Sequence, residues 1–229
     1  LKDFAEKFNI EKTYTSVEEM VADCQLDAAD VCVWNVNHSK CAITALNAGL
    51  HVICEKPLAL TMEECEEIVK ATRRSDKKFM TGQVCRKAPA FVKAKELIES
   101  GVYGEIRRTN WIITDWYRTQ GYYNSGGWRA TWDGEGGGVL MNQAPHNLDL
   151  WQWICGMPSK ITAFCHNGKW HDIEVEDDVT CYVEYPNGAT GVFITTTADA
   201  PGTNRFEITG SLGTIIFDMD NEGNATLKL

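Results

Sequence analysis

The sequence predicts a two-part α/β protein. A short parallel sheet interleaved with helices occupies residues 1–82, and an α+β domain with a large, mostly antiparallel open sheet occupies residues 83–229. Three observations lead there. Up to Gly82, short apolar, β-prone runs alternate with amphipathic stretches of helical period. After Gly82 that rhythm stops. From residue 160 onward, alternating apolar and polar segments follow one another, separated by turn triplets such as Pro186-Asn187-Gly188 and Ser211-Leu212-Gly213.

Residues 1–8 have helical spacing, with Phe4, Ala5 and Phe8 on one face. Ser16 caps a second helix, Glu19 completes a capping box, and Met20 and Val21 face inward. A strand is expected over 29–33 and a helix over 39–48, stopped by Gly49. The run Val52-Ile53-Cys54 reads as a buried strand of a parallel sheet with covered faces. Thr61 and Glu64 form a capping box for a helix through Arg73, and a strand covers 78–82. In the second part, Pro89 opens a helix closed by Gly101, and 106–114 is a strand. A loop rich in Trp, Tyr and Gly fills 116–138, and a long helix is expected over 139–155, stopped by Gly156 and Pro158. Strands are expected over 160–166, 179–184, 191–197, 205–210 and 214–219.

Composition excludes several classes of function. The chain has 229 residues, 44% of them hydrophobic, enough for a proper core. Its 22 basic residues face 32 acidic ones, net −10, with no basic stripe for nucleic acid or an anionic membrane surface. No apolar run approaches a membrane span. Nine cysteines are odd in number, scattered, and without a Cys-x-x-Cys pair, so they read as small buried hydrophobes of a protein in a reducing, cytoplasmic compartment. The cluster His166, His171, Asp172, Glu174, Glu176, Asp177 and Asp178 has metal-ligating residue types without fixed spacing. It reads as a solvated acidic loop, and no metal is expected.

The residues that suggest chemistry lie where chemistry is done in such folds. Lys56 follows the strand 52–54, at the carboxyl end where open α/β sheets form their ligand crevice, and Pro57 stiffens its turn. An isolated lysine there would be only a solvated strand-end charge. On one continuous helix, Asn142, His146, Asp149 and Trp153 would form a polar-aromatic stripe that needs partners once buried, although a satisfied core histidine is the plain alternative for His146. Gly136-Gly137-Gly138 at the helix start would give a substrate close access to backbone N–H groups. Trp111, Trp116, Tyr117, Tyr122, Tyr123, Trp128 and Trp132 suit sugar rings or an oligomer interface equally. Trp128 and Arg129, next to the glycines, are placed nearest a substrate. No G-x-G-x-x-G exists, so the chain reads as a longer protein lacking its first βαβ unit and a C-terminal part. The alternative is a protein that never bound a dinucleotide.

Three blocks carry a resemblance. They are 30–38 (Asp30-Val-Cys-Val-Trp-Asn-Val-Asn-His38) leading into Gly49; 49–59, containing Glu55-Lys56-Pro57; and 136–149, from the triple glycine through His146 to Asp149. Together they resemble the Gfo/Idh/MocA oxidoreductases, relatives of glucose–fructose oxidoreductase and inositol dehydrogenase. Trp34 replaces the proline of that family's Pro-Asn-x-x-His, and Asn142 replaces a common aspartate.

The resemblance implies a Rossmann-type domain binding NAD or NADP through Asn35, His38, Glu55, Lys56 and Pro57. For Asn35 and His38 the alternative is a turn asparagine and an exposed histidine. It implies a second domain holding a sugar, polyol or cyclitol near Asn142, Trp128, Arg129 and Arg86, Arg86 being equally readable as a surface ion-pair residue. It also implies homodimers or homotetramers built through the open sheet. Hydride transfer at a hydroxyl or carbonyl carbon requires proton transfer at its oxygen, which falls to His146 as acid/base, with Lys56 hydrogen-bonding that oxygen. Asp149 either fixes the imidazole tautomer or forms a salt bridge in the helix packing. Rival readings are an NAD-assisted glycosidase and a non-catalytic NAD(P)-binding sensor. NAD and NADP are not distinguished, because the residue meeting the ribose 2′ position would precede Leu1.

Overall fold

The computed structural model describes residues 1–219 and 225–228. It divides into two compact units, Leu1–Gly82 and Gln83–Leu229.

In the first unit, helices α1 (Lys2–Phe8) and α2 (Val17–Asp23) precede strand β1 (Ala28–Val31). A 3₁₀ turn (Asn35–Asn37) leads into α3 (His38–Asn47), followed by β2 (His51–Cys54), α4 (Met62–Arg74) and β3 (Phe79–Thr81). The three strands are parallel in the order β1-β2-β3. Strand order follows chain order, so right-handed crossovers bring α3 and α4 to the same face of the sheet. That face holds the core of Val31, Ala42, Ala45, Leu46, Leu50, Val52, Cys54 and Ala71. The opposite face is open among the described residues, with Ile53 42% and Met80 53% exposed. Among the described residues, the expected covering is seen on the face that packs against α3 and α4. In α1, Phe4 and Phe8 touch each other, yet both are exposed. The Thr61/Glu64 capping box is complete. At α2, Ser16 caps the Glu19 N–H while the Glu19 carboxylate accepts from Thr15 instead.

In the second unit, a 3₁₀ turn (Val84–Lys87) precedes α5 (Pro89–Glu99) and β4 (Ile106–Ile113). The loop after β4 contains a short α6 (Gln120–Asn124), and the chain continues through α7 (Val139–Asn142) and α8 (Pro145–Cys155). Six strands follow: β5 (Lys160–Asn167), β6 (Glu176–Glu184), β7 (Thr190–Thr196), β8 (Asn204–Gly210), β9 (Thr214–Met219) and β10 (Ala225–Lys228). They form one seven-stranded sheet, β10-β9-β8-β4-β7-β6-β5, antiparallel except for the parallel β4–β7 pair. Helices α5 and α8 supply Ala94, Leu150, Trp151 and Ile154 to a core against the sheet's Trp111, Phe193, Phe206, Ile208 and Phe217. Register builds that core: Trp111 stands opposite Phe193 on one side and Phe206 on the other. Its ring stacks on Phe206 at 4.2 Å, and Trp151 stacks on Phe193 at 5.5 Å and donates to Thr109.

The single helix expected over 139–155 is two. Pro145 has no N–H to give, and its ring would crowd the carbonyl four residues back, so α7 ends before it and Pro145 begins α8. Asn142 therefore belongs to α7, and His146, Asp149 and Trp153 to α8.

Replacing Trp111, 1% exposed, by alanine removes the centre of the aromatic row. It should cost about 3–5 kcal/mol in the second unit, read as a lower denaturant midpoint of its unfolding transition.

Candidate active-site residues in each unit

The first unit gathers its candidates on the loops after β1 and β2. Glu55 N–H donates to the Val31 carbonyl as the strands part. The Glu55 side chain turns back, accepting from the Lys56 N–H at 3.2 Å and lying against Gly82, where a Cβ would come within 3.2 Å of its carboxylate. Lys56 is half-buried and precedes Pro57 through a cis peptide bond. His38 is 1% exposed, its Nδ1 2.6 Å from the Pro57 carbonyl and its Nε2 3.0 Å from the Val33 carbonyl. Each ring nitrogen faces a backbone carbonyl, and the one that carries the proton donates to it, so His38 braces the Lys56 turn against the loop after β1. The exposed-histidine alternative is ruled out by its burial. Its assignment as a cofactor contact gives way to this bracing role, since no ring nitrogen remains to meet a ligand. Asn35 is 8% exposed, at the start of the 3₁₀ turn before α3.

In the second unit, the 3₁₀ turn and its N-cap Gln83 are joined to α8 by three hydrogen bonds. His146 Nδ1 lies 2.8 Å from the Gln83 amide oxygen. Arg86 grips Asp149 with two charge-assisted bonds, Nε to Oδ2 at 2.7 Å and Nη2 to Oδ1 at 2.6 Å, and its guanidinium lies over the Trp153 ring at 5.6 Å. The Asp149 carboxylate raises the arginine's already high pKa. The two readings of Asp149 thus resolve to the ion pair: the group on the imidazole's Nδ1 is Gln83, which the sequence reading did not single out. Gln83 directly follows Gly82, and its only sequence signal was proximity to Arg86. An amide oxygen can only accept, so the neutral His146 ring carries its proton on Nδ1 and its lone pair on Nε2.

The glycine-rich approach to α7 does a different job from the one expected. Glu176, 6% exposed, accepts from Gly138 N–H at 2.9 Å and Leu140 N–H at 3.0 Å. Those N–H groups are occupied by a buried carboxylate rather than presented to a substrate. Gly138 has to be glycine because a Cβ would stand 1.9 Å from the Glu176 carbonyl oxygen. Neighbouring Asp177 is fully buried and accepts from the N–H groups of Lys169, Trp170 and His171 and from the His171 ring. The solvated acidic loop is therefore corrected for Glu176 and Asp177: these acids are structural anchors that satisfy backbone donors. Among the described residues, no group of three His, Cys, Asp or Glu is placed to hold a metal ion.

The aromatic residues divide. Trp111 and Tyr123 are core, whereas Tyr117 and Trp132 are about half exposed. Arg129 lies between the rings of Trp128 and Tyr122, 4.6 and 4.7 Å from their centroids, and donates to the Tyr122 hydroxyl. Asn142 donates its amide to Glu135, a buried acid that was also missed. All nine cysteines are free. Cys54 is fully buried, and burial pushes its thiol up to about 12, but Cys32 and Cys165 are exposed, against the expectation of buried thiols. No helix is long and apolar enough to cross a membrane among the described residues.

Comparison with known proteins adds the following. The model of an oxidoreductase family with an NAD-binding Rossmann fold matches residues 1–83, and that of the GFO/IDH/MocA C-terminal domain matches residues 91–216. The chain is 30% identical to 1,5-anhydro-D-fructose reductase of Ensifer adhaerens, over 93% of this chain and 63% of that protein. It is 29% identical to levoglucosan dehydrogenase of Pseudarthrobacter phenanthrenivorans, over 94% and 61%. Among solved structures it superimposes on the WlbA dehydrogenase of Chromobacterium violaceum in complex with NADH and UDP-GlcNAcA. The TM-score is 0.87 at 30% identity, covering 94% of this chain and 62% of that one. The chain thus spans a little over three fifths of the length of each of these relatives.

Glu176→Ala leaves the Gly138 and Leu140 N–H groups buried without an acceptor. It should cost about 2–5 kcal/mol in urea unfolding, and Glu176→Gln, which keeps one acceptor oxygen, about half as much.

Proposed function

The chain belongs to the Gfo/Idh/MocA oxidoreductase family, and on that premise we propose that it works as an NAD(P)-dependent oxidoreductase. Hydride passes between nicotinamide and a hydroxyl or carbonyl carbon of a sugar, polyol or cyclitol. The observation that carries the reading is the His146–Gln83 bond, which sets the ring's tautomer so that Nε2 takes or returns the substrate oxygen's proton.

The donor set of the first unit suits a dinucleotide. The segments that follow parallel strands β1 and β2 carry Asn35 and Glu55-Lys56-Pro57, beyond the carboxyl edge of the sheet. Asn35, Glu55, Lys56 and Pro57 would hold the cofactor, whose nicotinamide supplies or accepts the hydride when bound. Lys56 donates to the reacting oxygen and stabilises alkoxide character; the His38 brace keeps its turn in place. Asn142 orients a substrate hydroxyl without taking its proton. Trp128 and Arg129 offer an aromatic face and a cation to the sugar, while Arg86 and Asp149 hold the 3₁₀ turn on α8, and Gln83 with it. The open face of the seven-stranded sheet is the surface on which we place the homodimer or homotetramer, and free thiols suit a reducing cytoplasm. The relatives support the substrate class: one is a 1,5-anhydro-D-fructose reductase and another a levoglucosan dehydrogenase.

The deciding experiment assays the intact gene product with NAD⁺ and NADP⁺ against sugars, anhydro sugars and cyclitols. Steady net reduction of cofactor is expected. Cleavage of aryl glycosides without net reduction would replace this reading with an NAD-assisted glycosidase. Binding of cofactor with no turnover of either kind would favour a sensor. Lys56→Ala and His146→Ala should each lower kcat by about 10²–10⁴-fold. Gln83→Leu should lower it by about tenfold and shift the pH profile while leaving the melting temperature nearly unchanged, because the imidazole loses the partner that selects its tautomer.

A further inference from the structure

We propose that Glu135 is a positioning residue of the substrate site: it turns the Asn142 amide so that the carbonyl oxygen, not the NH₂ group, meets the substrate. The inference rests on the reading in which Asn142 contacts substrate. Its own warrant is the pair itself. Glu135 is 2% exposed, in the loop just ahead of the three glycines. One carboxylate oxygen accepts from the Ala130 N–H at 2.7 Å; the other accepts from Asn142 Nδ2. Ala130 is held in the left-handed region, φ 54°, a conformation uncommon for a residue with a Cβ. The loop bends there, with the Ala130 N–H directed at the buried acid.

A carboxylate offers only acceptors, so the half of the amide that faces it has to be the donor half. An asparagine's two flipped states have nearly the same shape, and next to an apolar neighbour, or one that can both donate and accept, both would be populated. Next to Glu135 only one is. Position 142 therefore presents a neutral acceptor in a fixed direction. The family pattern puts a carboxylate at this position; here the negative charge sits one step further back, on Glu135. The substrate group that fits is a carbohydrate hydroxyl acting as donor. Because the amide has no proton-accepting capacity at neutral pH, that hydroxyl is oriented at Asn142 while the reacting proton moves through His146.

The test is a polarity swap in the intact gene product. Glu135→Gln supplies a neighbour that can donate as well as accept, so the amide is no longer pinned. A fall of about tenfold in kcat/KM is expected, most of it in KM. Asn142→Asp sets two carboxylates against each other and should lose about 100-fold at pH 8. The double variant E135Q/N142D restores a donor–acceptor pair of reversed sense and keeps an acceptor oxygen toward substrate; it should return to within about threefold of wild type. Wild-type kcat/KM in Glu135→Gln, or a double variant no better than Asn142→Asp, overturns the proposal.

A melting series separates this from the functional reading. In Asn142→Asp the folded pair holds a proton to higher pH than unfolded carboxylates, which titrate near pH 4. The folded state then binds more protons, and its stability relative to wild type falls as pH rises above about 4. The melting temperature should drop by about 5 °C at pH 8, with little change near pH 4, and no such pH dependence should appear in E135Q/N142D. Parallel melting curves for wild type and Asn142→Asp at every pH would show that the two side chains do not interact, and would sink the proposal. If the wild type turns over no sugar with either cofactor, the functional reading fails, and the melting series alone decides the Glu135–Asn142 pairing.

Discussion

Buried carboxylates that accept backbone N–H groups organise the second unit. Glu176 closes the start of α7, Glu135 takes Ala130 N–H and the Asn142 amide at its end, and Asp177 gathers three successive N–H groups from the 168–171 turn. Glu176 and Asp177 lie at the start of β6 and tie irregular backbone to the sheet; Glu135 ties the loop ahead of the glycines to the end of α7. Irregular backbone is expensive to bury because its donors lack ladder partners. An ionised acid with two acceptor oxygens satisfies several at once, at charge-assisted strength. The glycines complete the arrangement: at Gly138 the backbone of β6 comes so close that no side chain fits. Glycines that looked like a ligand cradle are there for a protein–protein approach within one chain.

This division between anchors and working groups explains what could be read in the sequence. Strand and helix order was legible because hydrophobic period and capping residues act locally; Thr61 with Glu64 and Pro89 at a helix start behave as their types require. Pro145 was equally legible as a helix start and was overlooked because apolar residues continue on both sides of it. The acids were misread for a different reason. Whether Asp177 is solvated or buried depends on which N–H groups the fold brings to it, and those lie six to eight residues away across a turn. Gln83 was invisible by the same logic. An amide becomes significant only through its partner, and His146 is 63 positions further along the chain.

The groups with chemical character were legible in kind. Lys56 after a parallel strand and His146 on a helix carry residue types that hydride–proton chemistry needs, and blocks around them carry the family pattern. Direction was not legible. His38 has the same type as His146, yet its two ring nitrogens face the Val33 and Pro57 carbonyls, which makes it part of the scaffold under Lys56. Burial separates the two: His38 is wholly enclosed, His146 half-exposed.

A consistent electrostatic design emerges around His146 in the second unit. Its Nδ1 partner is an amide, and the nearby charged pair, Arg86 with Asp149, is mutually neutralised one turn further along α8. Asn142 is an amide whose charged partner Glu135 lies behind it, out of solvent. A carboxylate on Nδ1 would bring a full negative charge to the imidazole; the Gln83 amide oxygen accepts its hydrogen bond without one. Under the proposed function, the one nitrogen Nε2 would accept an alcohol's proton or return it to a carbonyl oxygen.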